Sequence, residues 1–109
     1  MKIVTVTERK AREAKRRRDE ANRIMGALTD YARANGGRYI VFGTTARDQM
    51  TFRSDFDVLV DFPIEKESAA FTYVETLCSE AKLPLDALSS HTMSDRFMTR
   101  NAPDMIVLP

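Results

Sequence analysis

The stretch Gly43–Phe62, GTTARDQMTFRSDFDVLVDF, decides how the chain is read. Its second half, Asp55–Phe62 (DFDVLVDF), alternates with the period of a β-strand. Phe56, Val58 and Val60 then share one face, while Asp55, Asp57, Leu59 and Asp61 share the other. Two residues apart on a strand, the Cα atoms of Asp55 and Asp57 are about 6–7 Å apart with their carboxylates on the same side. Carboxylates that close repel each other, and burying one unpaired is costly. A hard divalent cation resolves both problems, and Mg²⁺ in particular takes a few carboxylate oxygens plus water and phosphate oxygens. On its own a D-x-D pair also fits a solvated strand start, so the flanking sequence has to discriminate.

Upstream, Arg38–Phe42 (RYIVF) reads as a strand that runs directly into Gly43-Thr44. A small turn at that point exposes backbone N–H groups suited to phosphate oxygens. Gly43 allows close approach to the main chain. Thr44 contributes a hydroxyl and Arg47 a fixed positive charge. Each has an ordinary alternative: a plain turn, a helix cap and a surface cation.

The remaining pattern predicts a single domain spanning residues 1–109, a length compatible with one core. Lys2–Val6 reads as a short edge strand or a frayed end. Thr7 is the expected cap of a helix over about 8–34. Ala21, Ile24, Met25, Leu28, Tyr31 and Ala32 form its core-facing stripe, and Asn35-Gly36-Gly37 forms its stop. Glu65–Lys82 predicts a second amphipathic helix with Ala70, Val74, Leu77, Cys78 and Ala81 inward. Leu83–Leu88 predicts a third strand, which Pro84 confines to a strand start or an edge. A short helix is expected over Thr92–Arg100, with Thr92 and Asp95 as its capping pair, and a last strand over Asp104–Leu108. The order helix, strand, strand, helix, strand, helix, strand predicts an α+β fold, an α/β sandwich with a mixed sheet and helices mainly on one face.

Composition adds limits. The chain is 43% hydrophobic and 30% charged, ordinary for a globular protein. No apolar run approaches the roughly 20 residues of a membrane span, and the start of the chain turns charged too early for a secretory signal. A lone cysteine, Cys78, makes no internal disulfide. Together these point to a cytoplasmic protein with no membrane partner. Residues 1–37 carry ten Lys/Arg against five acids, and residues 38–109 carry seven against eleven, giving +5 and −4. The first half of the long helix is mostly charge and is expected to project into solvent. It suits nucleic acid or an acidic partner, but Glu8, Glu13, Asp19 and Glu20 interrupt it. No aromatic lies among its cations to stack on bases, so a nucleic-acid partner is not favoured.

Gly43-Thr44-Thr45-Ala46-Arg47 followed by Ser54-Asp55-Phe56-Asp57 resembles the signature of the polymerase-β-like minimal nucleotidyltransferases. That signature is Gly-Ser, ten residues, then Asp-x-Asp, and residues 45–54 keep the spacing. The likeness runs from Ala21 through the last strand. It implies a nucleotidyltransferase-like fold and a third metal-binding carboxylate at Asp86 in Leu85-Asp86-Ala87. By the same resemblance Asp55, Asp57 and Asp86 are the catalytic and metal-binding set, with two Mg²⁺ ions or Mn²⁺ in their place. Gly43, Thr44, Arg47 and Ser54 are the nucleotide-binding set.

The implied reaction is transfer of a nucleoside monophosphate, AMP from ATP, to a hydroxyl, with release of pyrophosphate. The small size resembles the antitoxin half of two-gene toxin–antitoxin systems, whose partner is a HEPN-type toxin modified on tyrosine. Two departures stand out: Thr44 replaces Ser, and Asp48 replaces a common Gly, which puts a negative charge near the phosphate position. Asp61 lies too far along its strand to join the metal set. His91 reads as a surface residue and Cys78 as core. Two other functions stay open: a non-catalytic antitoxin that neutralises its partner by contact, and a small-molecule nucleotidyltransferase.

Overall fold

The computed structural model describes residues 5–109, so most of the stretch expected as a strand over Lys2–Val6 lies outside the described residues. Val6 itself opens helix α1 (Val6–Asn35). The cap is Thr5 rather than the expected Thr7, because Thr5 and Glu8 have capping-box spacing and Thr5 Oγ1 accepts the Glu8 N–H at 3.0 Å. At the other end Gly36 takes the left-handed conformation, φ 73°, and its N–H bonds to Ala32 O. A residue with a Cβ is strained there.

Strand β1 (Arg38–Val41) leads into a single-turn helix α2 (Gly43–Ala46), then strand β2 (Phe56–Asp61). Helix α3 (Ile64–Glu80) crosses to strand β3 (Leu85–Ser89). A 3-10 turn at Ser90–Thr92 precedes helix α4 (Asp95–Asn101), and strand β4 (Ile106–Val107) closes the chain after another 3-10 turn. The expected Thr92/Asp95 cap is replaced by Ser94, whose Oγ accepts from Phe97 N at 3.1 Å, while Ser89 caps the 3-10 turn through His91 N. β3 starts one residue after Pro84, which lacks the N–H a ladder needs.

The four strands lie in the order β3-β2-β1-β4. β1 pairs antiparallel with β2 and with β4, and β2 pairs parallel with β3, so the sheet is mixed. Alternation sorts the faces as the sequence predicts. Tyr39, Val41, Phe56, Val58 and Val60 meet Ala21, Ile24, Leu28 and Ala32 of α1 and Ala70, Val74 and Cys78 of α3 in the main core. Burying each Val, Leu, Ile or Phe side chain here stabilises by about 1.5–3 kcal/mol. At one end of this core Tyr39 Oη donates to Ala70 O at 2.8 Å, and Tyr31 stacks on Tyr73 with ring centres 4.2 Å apart.

The second face carries a smaller cluster, Ile40, Phe42 and Leu59, covered by Leu88, Met93, Phe97, Met98 and Met105. The two long helices therefore take one face as expected, and the short α4 covers part of the other. Among the described residues no helix is long and apolar enough to cross a membrane.

Only the C-terminal half of α1 is buried. Thirty residues of helix are about 45 Å long, in a molecule 55 Å in its longest dimension. Thr5–Arg12 are all exposed, which fits the expected projecting charged segment. The following turn departs from it, because Arg16 and Arg17 turn inward onto backbone carbonyls.

Candidate functional site

The β1–β2 ladder ends where Phe42 N donates to Asp57 O at 3.1 Å, and the chain then turns at Gly43. Asp57 faces the same side as Leu59, so its carboxylate leaves the sheet at the open end of the second face. Gly43 lies against it. With φ 62° the backbone is left-handed, and a Cβ added there would be 2.5 Å from Asp57 Oδ2. Both the conformation and the space demand glycine. The turn passes at once into α2, whose first N–H groups have no intrahelical partner.

Asp55 stands exposed one residue before β2, not within it as expected. Asp86 lies beside Asp57 in the parallel register of β2 and β3 and is exposed. Burial pushes the Asp57 carboxyl up from its ordinary 3.8 to about 6, with further contributions from the negative charges of Asp86 and then Asp55. The fold thus brings the exposed Asp55 and Asp86 within electrostatic reach of the half-buried Asp57. Among the described residues none of the three has an ion-pair partner.

This electrostatics suits a divalent cation, because the donors are all hard oxygens and the half-buried one lacks a countercharge. The spacing is looser than a closed centre: among the described residues no three His, Cys, Asp or Glu side chains stand close enough to hold an ion as they are. The donor set and its charge fit Mg²⁺, and binding requires the exposed Asp55 and Asp86 side chains to swing toward Asp57.

Around the carboxylates, Thr44 is half-buried in α2 and Arg47 is exposed at its end. Asp48, between α2 and β2, has φ 54°. That is the left-handed region, which favours glycine, and Asp is among the few other residues that tolerate it. Ser54, expected as a nucleotide contact, is engaged within its own loop. It is 8% exposed, its Oγ accepts the Thr51 N–H at 2.8 Å, and it sets the loop that delivers Asp55.

A residue that the sequence reading passed over proves central. Thr45, also buried, accepts the Asp57 N–H at Oγ1 (3.0 Å) and donates to Asp55 O at 3.3 Å. It stitches the glycine turn to the start of β2. The only local signal is the doublet Thr44-Thr45, which does not reveal which hydroxyl points inward.

Asp61 stays out of the site. It bonds to Arg38 Nε at 2.5 Å and to Ser90 Oγ at 2.8 Å. Partial burial pushes its pKa up, but these hydrogen bonds and the Arg38 charge bring it below the ordinary value. His91 is exposed and bonds through Nε2 to Phe62 O at 2.6 Å. Cys78 is buried, and burial pushes its thiol up to about 11, so it is a core residue and not a nucleophile. No aromatic lies among the cations of the helix in sequence, and folding brings Phe52 of the α2–β2 loop beside one of them. Lys10 Nζ lies 4.9 Å and Arg53 Cζ 5.1 Å from its ring centre, a pairing made only by folding.

Compared with protein-family models, with characterised proteins and with solved structures, the chain matches none.

Proposed function

We propose that the chain is a metal-dependent nucleotidyltransferase that moves AMP from ATP to a hydroxyl of a partner protein, as the antitoxin of a toxin–antitoxin pair with a HEPN-type toxin. The observation that carries the reading is the Asp57 carboxylate lying against Gly43, its pKa raised by burial and by Asp86 and Asp55. Half-buried negative charge beside an unencumbered glycine turn suits cation and phosphate together.

Asp55, Asp57 and Asp86 would hold Mg²⁺, which supplies Lewis-acid stabilisation of charge developing on the phosphate oxygens. The Gly43–Thr45 turn would orient the β- and γ-phosphates through backbone N–H groups, aided by the Thr44 hydroxyl, with Arg47 adding positive charge. The acceptor oxygen attacks the α-phosphorus, the bond to the bridging oxygen breaks, and pyrophosphate leaves. Asp86, exposed on an edge strand, would take the proton from the attacking hydroxyl.

The test is Mg²⁺-dependent transfer of label from α-labelled ATP to the co-expressed partner. Loss of transfer in Asp55→Asn plus Asp57→Asn supports the reading, and undiminished transfer overturns it. A second reading, neutralisation by contact alone, draws on the loose spacing of the carboxylates. Under it the same double variant still protects cells from the partner in full.

A further inference from the structure

Two adjacent residues of α1 reach the two backbones that lead into the carboxylates. Arg17 Nη1 donates to Ser54 O at 2.9 Å, and Ser54 immediately precedes Asp55. Arg16 Nη1 donates to Ala81 O at 2.7 Å and Nη2 to Lys82 O at 2.9 Å. Those carbonyls lie just past the end of α3, and Leu83-Pro84-Leu85 then runs straight to Asp86. The two branches are also tied to each other, because Phe56 N donates to Pro84 O at 2.7 Å. Glu13 braces the pair, bonding Arg16 Nε at 2.5 Å and lying 3.9 Å from Arg17 Nε.

The Arg17 side chain is only 17% exposed, and its Nε is buried with no hydrogen-bond partner. Holding a guanidinium there is unfavourable unless the contact to Ser54 O compensates. Lys82 has φ 52°, a strained turn that Arg16 closes from outside. A cation at the C-terminal end of α3 also meets the negative end of the helix dipole. The two Arg16 bonds need a planar fork, which lysine lacks.

We infer that Arg16 and Arg17 are positioning residues: they form a clamp that fixes the start of β2 relative to the start of β3, and so sets the separation of Asp55 from Asp86. The clamp rests on the reading above only for its purpose, since the carboxylates are where that spacing matters. It also reassigns the middle of the basic helix from a free charged face to a strut of the site.

The experiment compares wild type, Arg16→Met plus Arg17→Met, the single variants Arg16→Lys and Arg17→Lys, and Leu77→Ala. Leu77→Ala is a control that weakens the main core away from the site. Two readouts are needed: hydrogen exchange of the Phe56 amide without metal, and Mn²⁺ affinity by electron paramagnetic resonance. In the double variant the Phe56 amide is expected to exchange at least tenfold faster than in Leu77→Ala, and Mn²⁺ to bind about fivefold or more weakly. Arg17→Lys should keep most of both, because one donor suffices for Ser54 O, whereas Arg16→Lys should not. If the double variant does not fold, the two lysine variants decide.

Exchange at the control's rate, or equal behaviour of the two lysine variants, overturns the clamp. Wild type that binds no Mn²⁺ overturns the metal reading instead, and the exchange rates still decide the clamp.

Discussion

Thr45 Oγ1 accepts the backbone N–H of Asp57 at 3.0 Å, across the gap between the glycine turn and the second strand. Through this bond, and through the one it donates to Asp55 O, a buried hydroxyl ties the glycine turn to both aspartates of the D-x-D pair.

Thr45→Val keeps the shape and removes both bonds, leaving the Asp57 N–H and the Asp55 carbonyl unpaired. The expected loss is about 1–3 kcal/mol, seen as a lower melting temperature in a thermal scan. Thr45→Ser should recover most of it. Equal stability of the valine and serine variants would show that the hydroxyl does not hold the turn.

Gly43→Ala faces a double cost: the left-handed backbone at φ 62° and a Cβ 2.5 Å from Asp57 Oδ2. The conformational part alone is roughly 1–2 kcal/mol. Because the clash falls on the carboxylate, Mn²⁺ affinity should fall further than the melting temperature suggests. Calorimetric titration of the folded variant measures it, and wild-type affinity would rule out a tight packing of Gly43 on Asp57.

Asp57 gives a pH dependence whose sign can be worked out. Its folded pKa, about 6, is above the ordinary 3.8, so between these values the folded state holds more protons than the unfolded one. The ionised group therefore opposes folding above pH 6, and the opposition fades as pH falls toward 4. Asp57→Asn should melt higher than wild type at pH 7.5 and near wild type at pH 4. Adding Mg²⁺ should raise the wild-type melting temperature at pH 7.5 and leave the variant unmoved. An equal difference at both pH values would refute the assignment.

Asp48→Gly relieves a non-glycine residue at φ 54°. The gain should be about 0.5–1 kcal/mol, read as a higher urea midpoint with unchanged slope. Since Asp48 is exposed and outside the carboxylate set, transfer activity should be retained or raised. A destabilised Asp48→Gly would show that the aspartate side chain supports the turn.

The main elements were legible because their signals are local. Period two in DFDVLVDF puts Phe56, Val58 and Val60 in the core and Asp57 outside it. The 3.6-residue stripe of Ala21, Ile24, Leu28 and Ala32 marks the buried half of α1, and Asn35-Gly36 marks its end. The two helix caps were misplaced because several hydroxyl residues compete within a few positions, and backbone dihedrals choose among them. Thr5 wins over Thr7, and Ser94 over Thr92.

For the site, the sequence by itself determined which residue types stand where: a glycine turn between strands, an Asp-x-Asp pair, and a further aspartate on a later strand. Only the tertiary structure decided which of these meet and what supports them. It seated Gly43 on Asp57, set Asp86 beside Asp57 through parallel pairing, and turned Thr45 inward while Ser54 was taken up by its own loop. It also drew Arg16 and Arg17 out of an apparently solvated charge run onto carbonyls 37 to 66 residues away. The physical reason is that periodicity, caps and turns are properties of neighbours in sequence. Pairing register, the direction of a hydroxyl and the partner of a guanidinium are fixed only when distant backbones are packed together.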